Sequence, residues 1–178
     1  MVFEGHSTDY QPPKKLKEMV QDGIAIIKVG PALSWALREG LFALSFIEKE
    51  LIDDVSKRAN FIETLDKVML KNTKHWEKYY TGTEKEVALS RKYSFSDRCR
   101  YYFINPDVEA SIQKLFKNME KVKIPLGLLH QYMPNQYNKV RDGRLELKAR
   151  ELVKDFVISI VDEYNYAVKY NYMIGGVI

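Results

Sequence analysis

The sequence predicts an α/β fold in which two parallel βα units occupy residues 1–50 and an all-helical extension occupies residues 51–178. Three observations support this prediction. Residues 24–29 (Ile-Ala-Ile-Ile-Lys-Val) form a mostly β-branched apolar run, which is typical of a buried parallel strand. A helical pattern follows each of two strand-like segments, and parallel strands need helical crossovers of this kind. Beyond residue 51 only helical periodicity continues.

The first βα unit begins with a short strand at residues 2–3 (Val-Phe). Two prolines at residues 12–13 precede a helix that we expect over residues 14–21, because proline is favoured in the first turn of a helix. Gly23 follows this helix and is a typical stop signal.

The second βα unit consists of the strand at residues 24–29 and a helix at residues 32–50. Gly30 and Pro31 turn the chain between the two elements. The helix is apolar on most of its faces, so we expect it to be heavily buried.

The extension contains three segments in which apolar residues recur at helical spacing. Phe61, Leu65 and Val68 mark the first, and the others span residues 108–122 and 152–168. Between the first two lies a segment dense in aromatic residues, at 72–104. Such density favours core packing or a protein interface over a cofactor site.

Composition and charge restrict the kinds of partner and cellular location that we expect for the chain. The 178 residues include 28 basic and 24 acidic side chains, which are interspersed along the chain, so we expect no nucleic-acid partner. The most apolar stretch, residues 32–47, contains Arg38 and Glu39 and is too short to span a bilayer. The first ten residues have no signal-peptide pattern. We therefore expect a cytoplasmic protein that does not contact membranes.

The single cysteine, Cys99, excludes an intrachain disulfide bond. Its neighbours Arg98 and Arg100 would favour a thiolate.

A chain of this length is also shorter than the roughly 250 residues of a complete (β/α)₈ barrel.

A cluster of polar residues follows the first predicted strand: Glu4, His6, Ser7 and Thr8. Ligands of parallel α/β folds bind at the carboxyl ends of the strands, so chemistry is expected at this position. An imidazole here can bind a divalent metal or transfer protons, and hydroxyl groups before a helix can hold an anion. The alternative is that Ser7, Thr8 or Asp9 caps the helix and that His6 only makes local hydrogen bonds.

A second cluster follows the second strand, where Lys28 alternates with Ile27 and Val29 and should face the opposite side of the strand. In a barrel that side is the interior, where a lysine needs an acidic or phosphate partner. Gly30 allows close approach of a ligand, and the helix start at Ala32 favours phosphate. The alternative is a lysine at a sheet edge, followed by an ordinary turn.

Several sequence segments, in order, resemble one family. These segments are residues 3–11 (FEGHSTDYQ), 27–33 (IKVGPAL), 75–76 (HW), 91–102 (RKYSFSDRCRYY) and 125–134 (PLGLLHQYMP). On these residues the chain resembles the Z subunit of class II D-tagatose-1,6-bisphosphate aldolase. The resemblance extends from residue 2 to about residue 168.

The resemblance implies the last two βα units of a TIM (β/α)₈ barrel with a helical extension, so the chain resembles the C-terminal part of the family. It implies an accessory subunit that a catalytic aldolase subunit needs for full activity and stability in tagatose 6-phosphate, galactitol or amino-sugar catabolism. By the same resemblance, His6 is a metal ligand, and a divalent metal (zinc or magnesium) and a sugar phosphate are the expected ligands.

The remaining candidate residues fall into two groups. Glu4 and Lys28 are the catalytic candidates, and the phosphate-binding candidates are Ser7, Thr8, Gly30 and Ala32. Ser-Thr-Asp stands where the catalytic subunit has Gly-Ala-Ser, and Gly30 stands where it has an asparagine. The alternative function is a metal-dependent ketohexose-phosphate 4-epimerase or aldolase acting on tagatose or fructose phosphates. A kinase activity has also been assigned to the family, but the sequence has no P-loop motif.

Overall fold

The computed structural model describes residues 1–174, with side chains as far as residue 169. The last four residues of the predicted extension lie outside the described residues. The strands and α-helices of the described part are β1 (Phe3–Gly5), α1 (Pro13–Gln21), β2 (Ile24–Ile27), α2 (Pro31–Leu51), α3 (Phe61–Lys71), α4 (Glu84–Tyr93), α5 (Pro106–Met119), α6 (Leu126–Tyr132), α7 (Pro134–Arg141) and α8 (Ala149–Ile174). Short 3₁₀ turns lie at Thr73–His75 and Arg98–Tyr102.

The first 51 residues fold as two βα units whose strands pair in parallel, as the sequence predicts. The register places Glu4 opposite Ile26 and Gly5 opposite Ile27. Helix α1 follows Pro12 and has Pro13 as its first residue, and Gly23 after its end adopts a left-handed conformation (φ 92°). The described residues are therefore mostly helical, with a small two-stranded parallel sheet.

The prediction that the second strand is buried is wrong for this chain. Strand β2 ends at Ile27, and Ile26 is 50% exposed. Helix α1 packs against the sheet, where the side chain of Met19 approaches Gly5. The sheet of the described residues has only two strands, which leaves the side chain of Ile26 half exposed.

Helix α2 is heavily buried, as predicted. It packs against α8, α5, α6 and α3. Its interior glycine, Gly40, lies so close to α8 that an added Cβ would be 3.2 Å from the Cα of Val153. Glycine costs about 1 kcal/mol in a helix interior, and here it permits the close approach of the two helix axes.

The extension contains the three predicted helices, α3, α5 and α8, and also three helices that the apolar periodicity did not indicate, α4, α6 and α7. All three are short. Helix α4 is mostly polar. It begins with a capping box, in which the side chains of Thr83 and Glu86 each accept a hydrogen bond from the backbone N–H of the other residue.

The aromatic segment at 72–104 contributes to the hydrophobic core. Trp76, Tyr80 and Tyr102 are buried in it, and the indole N–H of Trp76 donates to the carbonyl oxygen of Met69 at 2.8 Å. The indole is thus packed and hydrogen-bonded at once, as buried tryptophans usually are.

The extension folds back on the βα units, because α8 lies along both α1 and α2. One core cluster includes residues of α2, α3, α5, α6 and α8. The division into parts 1–50 and 51–178 stays a prediction. No helix of the described residues combines the length and hydropathy needed to cross a bilayer.

Candidate functional site

The carboxyl end of β1 presents an exposed His6–Glu4 pair. The Nε2 atom of His6 lies 2.9 Å from Oε1 of Glu4, and both side chains are exposed. Within the described residues, no group of three or more His, Cys, Asp or Glu side chains is placed to hold a metal ion. Because zinc sites in proteins use at least three protein ligands, these two donors do not form a complete metal site. The metal-ligand role of His6 stays a prediction.

Thr8 is fully buried, and its hydroxyl group is engaged on both sides. It donates to the carbonyl oxygen of Lys28 at 2.5 Å and lies 2.8 Å from the hydroxyl of Tyr164. Since the Thr8 hydroxyl has one hydrogen, Tyr164 is the donor in the second bond. Burial raises the pKa of Tyr164. Thr8 therefore joins β1, β2 and α8, whereas its neighbour Ser7 is exposed in a left-handed conformation (φ 57°).

The start of α2 is capped by Asp9. Its Oδ1 atom accepts hydrogen bonds from the backbone N–H groups of Gly30 and Ala32, both at 2.9 Å. A helix N-terminus favours an anion, and here the chain supplies its own carboxylate. The two N–H groups predicted to bind phosphate are thus already engaged, and their phosphate role stays a prediction that requires Asp9 to move.

The Lys28 side chain is exposed at the same edge of the sheet. Its backbone N–H donates to the carbonyl oxygen of Gly5 at 3.0 Å, which extends the strand pairing by one step. Among the hydrogen bonds and ion pairs of the described residues, none involves its ammonium group. The catalytic roles predicted for Lys28 and Glu4 are not tested by this arrangement, although a free ammonium can bind an anionic ligand.

A segment of the helical extension reaches this edge, which the sequence did not indicate. The hydroxyl of Tyr10 donates to the carbonyl oxygen of Phe95 at 2.8 Å, and the Phe95 ring stacks on Trp35 with centroids 4.8 Å apart. Burial and the nearby carboxylates of Asp97 and Asp9 raise the pKa of Tyr10. The segment 91–102 resembles the family, which was the only sequence signal for it.

Asp97 links the segment at residues 91–102 to α2 through a buried ion pair. Its Oδ1 accepts from Nε of Arg38 at 3.0 Å, and its Oδ2 accepts from the hydroxyl of Ser34 at 2.6 Å. The side chains of Arg38 and Asp97 are 3% and 0% exposed. A pair this deeply buried depends on both partners, because either charge alone would be left without compensation.

The expectation of a thiolate at Cys99 is wrong. Its Sγ donates to Oδ1 of Asp97 at 3.3 Å, and the side chain is buried. Burial and the negative charge of Asp97 raise the pKa of the Cys99 thiol far above its ordinary value. The two arginines that flank it in sequence do not outweigh these effects.

Comparison with known proteins gives consistent matches. The model of a family described as "D-tagatose-1,6-bisphosphate aldolase subunit GatZ/KbaZ-like" matches residues 1–169. The chain is 40% identical to the D-tagatose-1,6-bisphosphate aldolase subunit GatZ of Escherichia coli O1:K1 and 42% identical to that of Klebsiella pneumoniae. Both matches cover 93% of this chain but only 39% of the relative.

A solved structure supports the same assignment. It is the crystal structure of a probable tagatose 6 phosphate kinase from Sinorhizobium meliloti, with 40% identity and a TM-score of 0.90. The match covers 94% of this chain and 43% of that one. The chain therefore belongs to the GatZ/KbaZ-like family of D-tagatose-1,6-bisphosphate aldolase subunits.

Proposed function

We propose that the chain acts as the accessory subunit of a class II D-tagatose-1,6-bisphosphate aldolase, in tagatose 6-phosphate, galactitol or amino-sugar catabolism. The observation that carries the proposal is the 40–42% identity to GatZ subunits over 93% of the chain. The partner is a catalytic aldolase subunit, and the chain serves to raise its stability and activity. A cytoplasmic location accompanies this role, since sugar phosphates are charged and stay inside the cell.

In this proposal, residues 1–51 supply the last two βα units of a TIM barrel. Two features support it. The relatives are longer than this chain, which spans about 39% of their length. The sheet and the residue that precedes it also have exposed apolar side chains, at Phe3 and Ile26 and at Val2. A two-stranded sheet is marginal by itself, and a closed barrel would remove its open edges. The barrel would then need strands in addition to the two described here.

The proposed ligand is a sugar phosphate at the carboxyl edge of the sheet. The exposed Lys28 ammonium would attract the phosphate, and Ser7 is exposed beside the His6–Glu4 pair. A metal bound at His6 would need further ligands from other strands, and this chain's residues would help to bind and orient the sugar phosphate beside it.

The test is a reconstitution. The chain is co-expressed with the part of Escherichia coli GatZ that precedes the matched region and with the catalytic aldolase subunit. We expect the chain to lengthen the thermal half-life of the catalytic subunit and to raise cleavage of tagatose 1,6-bisphosphate. Ile26→Asp on the sheet should abolish both effects. Leu70→Asp, at a similarly exposed leucine of α3, is the matched control and should retain them. An unchanged half-life with and without the chain would overturn the proposal.

The second candidate is a metal-dependent ketohexose-phosphate 4-epimerase or aldolase. The close His6–Glu4 pair on the edge that carries the Lys28 ammonium favours it. The reconstituted chain is incubated with fructose 6-phosphate and either zinc or magnesium, without the catalytic subunit. Formation of tagatose 6-phosphate that His6→Ala abolishes would establish this activity, and metal-independent or absent turnover would exclude it.

A further inference from the structure

Part of the aromatic segment at residues 72–104 lies outside the hydrophobic core. Tyr79 is 58% exposed, Tyr101 is 42% exposed, and Ile104 at the end of the segment is 86% exposed. Single exposed apolar residues are common, whereas neighbouring ones often mark a place where a partner binds. Tyr101 and Ile104 are neighbours, because both line a cavity of about 310 Å³ between α3 and the start of α5. The surface around them is called the aromatic face here and consists of His75, Tyr79, Arg98, Arg100, Tyr101 and Ile104.

Direct contacts join most of these side chains in one row. The guanidinium of Arg98 lies over the ring of Tyr79, and its Nη1 donates to the carbonyl oxygen of His75 at 3.2 Å. The His75 ring stacks on Tyr101 with centroids 4.9 Å apart. Nη2 of Arg100 donates to the hydroxyl oxygen of Tyr101 at 2.9 Å. Because these contacts hold the side chains before a partner arrives, less conformational entropy is lost on binding.

Three lysines border the aromatic face. Lys71 lines the same cavity as Ile104, and it also lines a second cavity of about 450 Å³ together with Lys67 and Lys114. Lys114 donates to a backbone carbonyl oxygen, and none of the three forms an ion pair within the described residues. Asp107 is the one carboxylate among the residues that line the two cavities. The charges of the lysines are therefore mostly uncompensated.

The two arginines of the aromatic face also have no carboxylate partner in the described part of the chain. Arg98 and Arg100 donate to backbone carbonyl oxygens and to the Tyr101 hydroxyl. These two arginines, the three lysines and Asp107 together carry a formal charge equal to the net charge of the whole chain, +4. The surface is thus complementary in charge to an acidic one.

A protein partner accounts for this combination of residues. Tyrosine and arginine are enriched at protein interfaces and supply many of their hot spots. A phosphate ion would use only the cations. A nucleic acid would use the cations and the aromatic rings, but it would give the exposed side chain of Ile104 no apolar partner.

The aromatic face is built on elements of the helical extension. Helix α3 packs against α2, α4, α5 and the 3₁₀ turn at Arg98–Tyr102. Strands that complete a barrel would continue the two-stranded sheet, so they need not cover this surface. We propose that the aromatic face docks the catalytic aldolase subunit, through a surface of that subunit on which carboxylates lie beside apolar side chains. This inference rests on the proposed function and adds the place where the partner binds.

The test measures how tightly the purified catalytic subunit binds the chain reconstituted with the preceding part of Escherichia coli GatZ, by isothermal titration calorimetry. Ile104→Asp should weaken binding about tenfold, because it removes an apolar contact and places a carboxylate against an acidic surface. Val161→Asp, at an exposed valine of α8, is the matched control and should bind as the original chain does. Both side chains are exposed, so neither change should disturb folding.

A second pair of variants tests the charge. Lys71→Glu should weaken binding about fivefold in about 50 mM NaCl and less in about 500 mM NaCl, because salt screens charges at a surface. Lys121→Glu, at an exposed lysine just beyond the end of α5, is the control and should bind normally. Leu70, the control position of the first reconstitution, lines neither cavity.

Equal affinities of the original chain and all four variants would overturn this inference alone, if the original chain still lengthens the half-life of the catalytic subunit. An unchanged half-life would overturn the proposed function as well. If Ile104→Asp no longer copurifies with the GatZ part, the aromatic face belongs to the rest of the barrel and the inference is wrong. Binding of single-stranded RNA that Lys71→Glu weakens, with unchanged affinity for the catalytic subunit, would also overturn it.

Discussion

The hydroxyl groups of Thr8 and Tyr164 lie 2.8 Å apart, although 156 positions separate them in the chain. Thr8 follows the first strand, and Tyr164 lies on the last helix. Because Thr8 also donates to the carbonyl oxygen of Lys28, one hydroxyl group connects both strands to the C-terminal helix. The carboxyl edge of the sheet is thus held in place by the helical extension.

Replacing Tyr164 with Phe should lower the free energy of unfolding by about 1 kcal/mol, because the variant loses one hydrogen bond and leaves the Thr8 oxygen with one acceptor site unused. Urea denaturation measures the change. Tyr166→Phe, on an exposed side chain of the same helix, is the control and should have little effect. In a Thr8→Val background, Tyr164→Phe should cost less, and a full cost there would contradict the pairing.

Asp9→Ala should destabilise the protein by about 1–2 kcal/mol, because the N–H groups of Gly30 and Ala32 lose their shared acceptor and the start of α2 loses a negative charge. Asp162→Ala, at an exposed aspartate of α8, is the matched control. Removing Asp9 also frees both N–H groups, so ³¹P NMR should detect tighter binding of inorganic phosphate. Equal phosphate binding by the variant and the original chain would argue against an anion site at this helix start.

Asp97→Ala should cost about 3–5 kcal/mol, because it leaves the buried guanidinium of Arg38 without its carboxylate. Thermal unfolding monitored by circular dichroism measures the loss. Glu146→Ala breaks an ion pair whose side chains are exposed, and its unfolding should be nearly unchanged. Similar effects of the two variants would contradict the role assigned to the buried pair.

Cys99 should resist alkylation in the folded protein. Its thiol is buried and its pKa is raised, so the reactive thiolate is scarce at neutral pH. Iodoacetamide at pH 8, followed by mass spectrometry, should give slow labelling that accelerates sharply in urea. Rapid labelling without urea would show that the segment around Asp97 opens readily.

Glu86 should give α4 a pH-dependent contribution to stability. Hydrogen bonds from the backbone N–H and the hydroxyl of Thr83 lower the pKa of its carboxyl group in the folded protein. The contribution is therefore complete above the ordinary carboxyl pKa and is lost as pH falls through the lowered value. The difference in unfolding free energy between the original chain and Glu86→Gln should shrink from pH 6 to pH 2. A difference that grows on acidification would contradict this sign.

The order of the βα units could be predicted from local signals. The prolines at the start of α1, Gly23 after its end and the Gly30–Pro31 turn each act within a few residues, so the sequence is sufficient to predict them. Helices α3, α5 and α8 were predicted because their apolar periodicity reflects one buried face, and α2 because it is apolar on most of its faces. The short helices α6 and α7 were missed because too few residues set their period.

The candidate site was only partly predictable. The sequence indicated that residues after the two strands share one edge of the sheet, and the parallel pairing of β1 and β2 confirms that geometry. It did not indicate that Asp9 already caps the helix start, or that Tyr164 bonds Thr8. These partners are 21 to 156 positions apart, and sequence spacing carries no information about such contacts.

The sequence by itself thus determined the two βα units, the long helices and their order, the edge where polar residues gather and the family. Only the tertiary structure decided which of those polar groups remain free. Lys28 kept an exposed ammonium without an ion-pair partner among the described residues, whereas Thr8 and the N–H groups of Gly30 and Ala32 were engaged. The physical reason is that the tertiary structure decides which hydrogen-bond partners lie next to each polar group. A buried polar group must have such a partner, because burying it unpaired costs free energy.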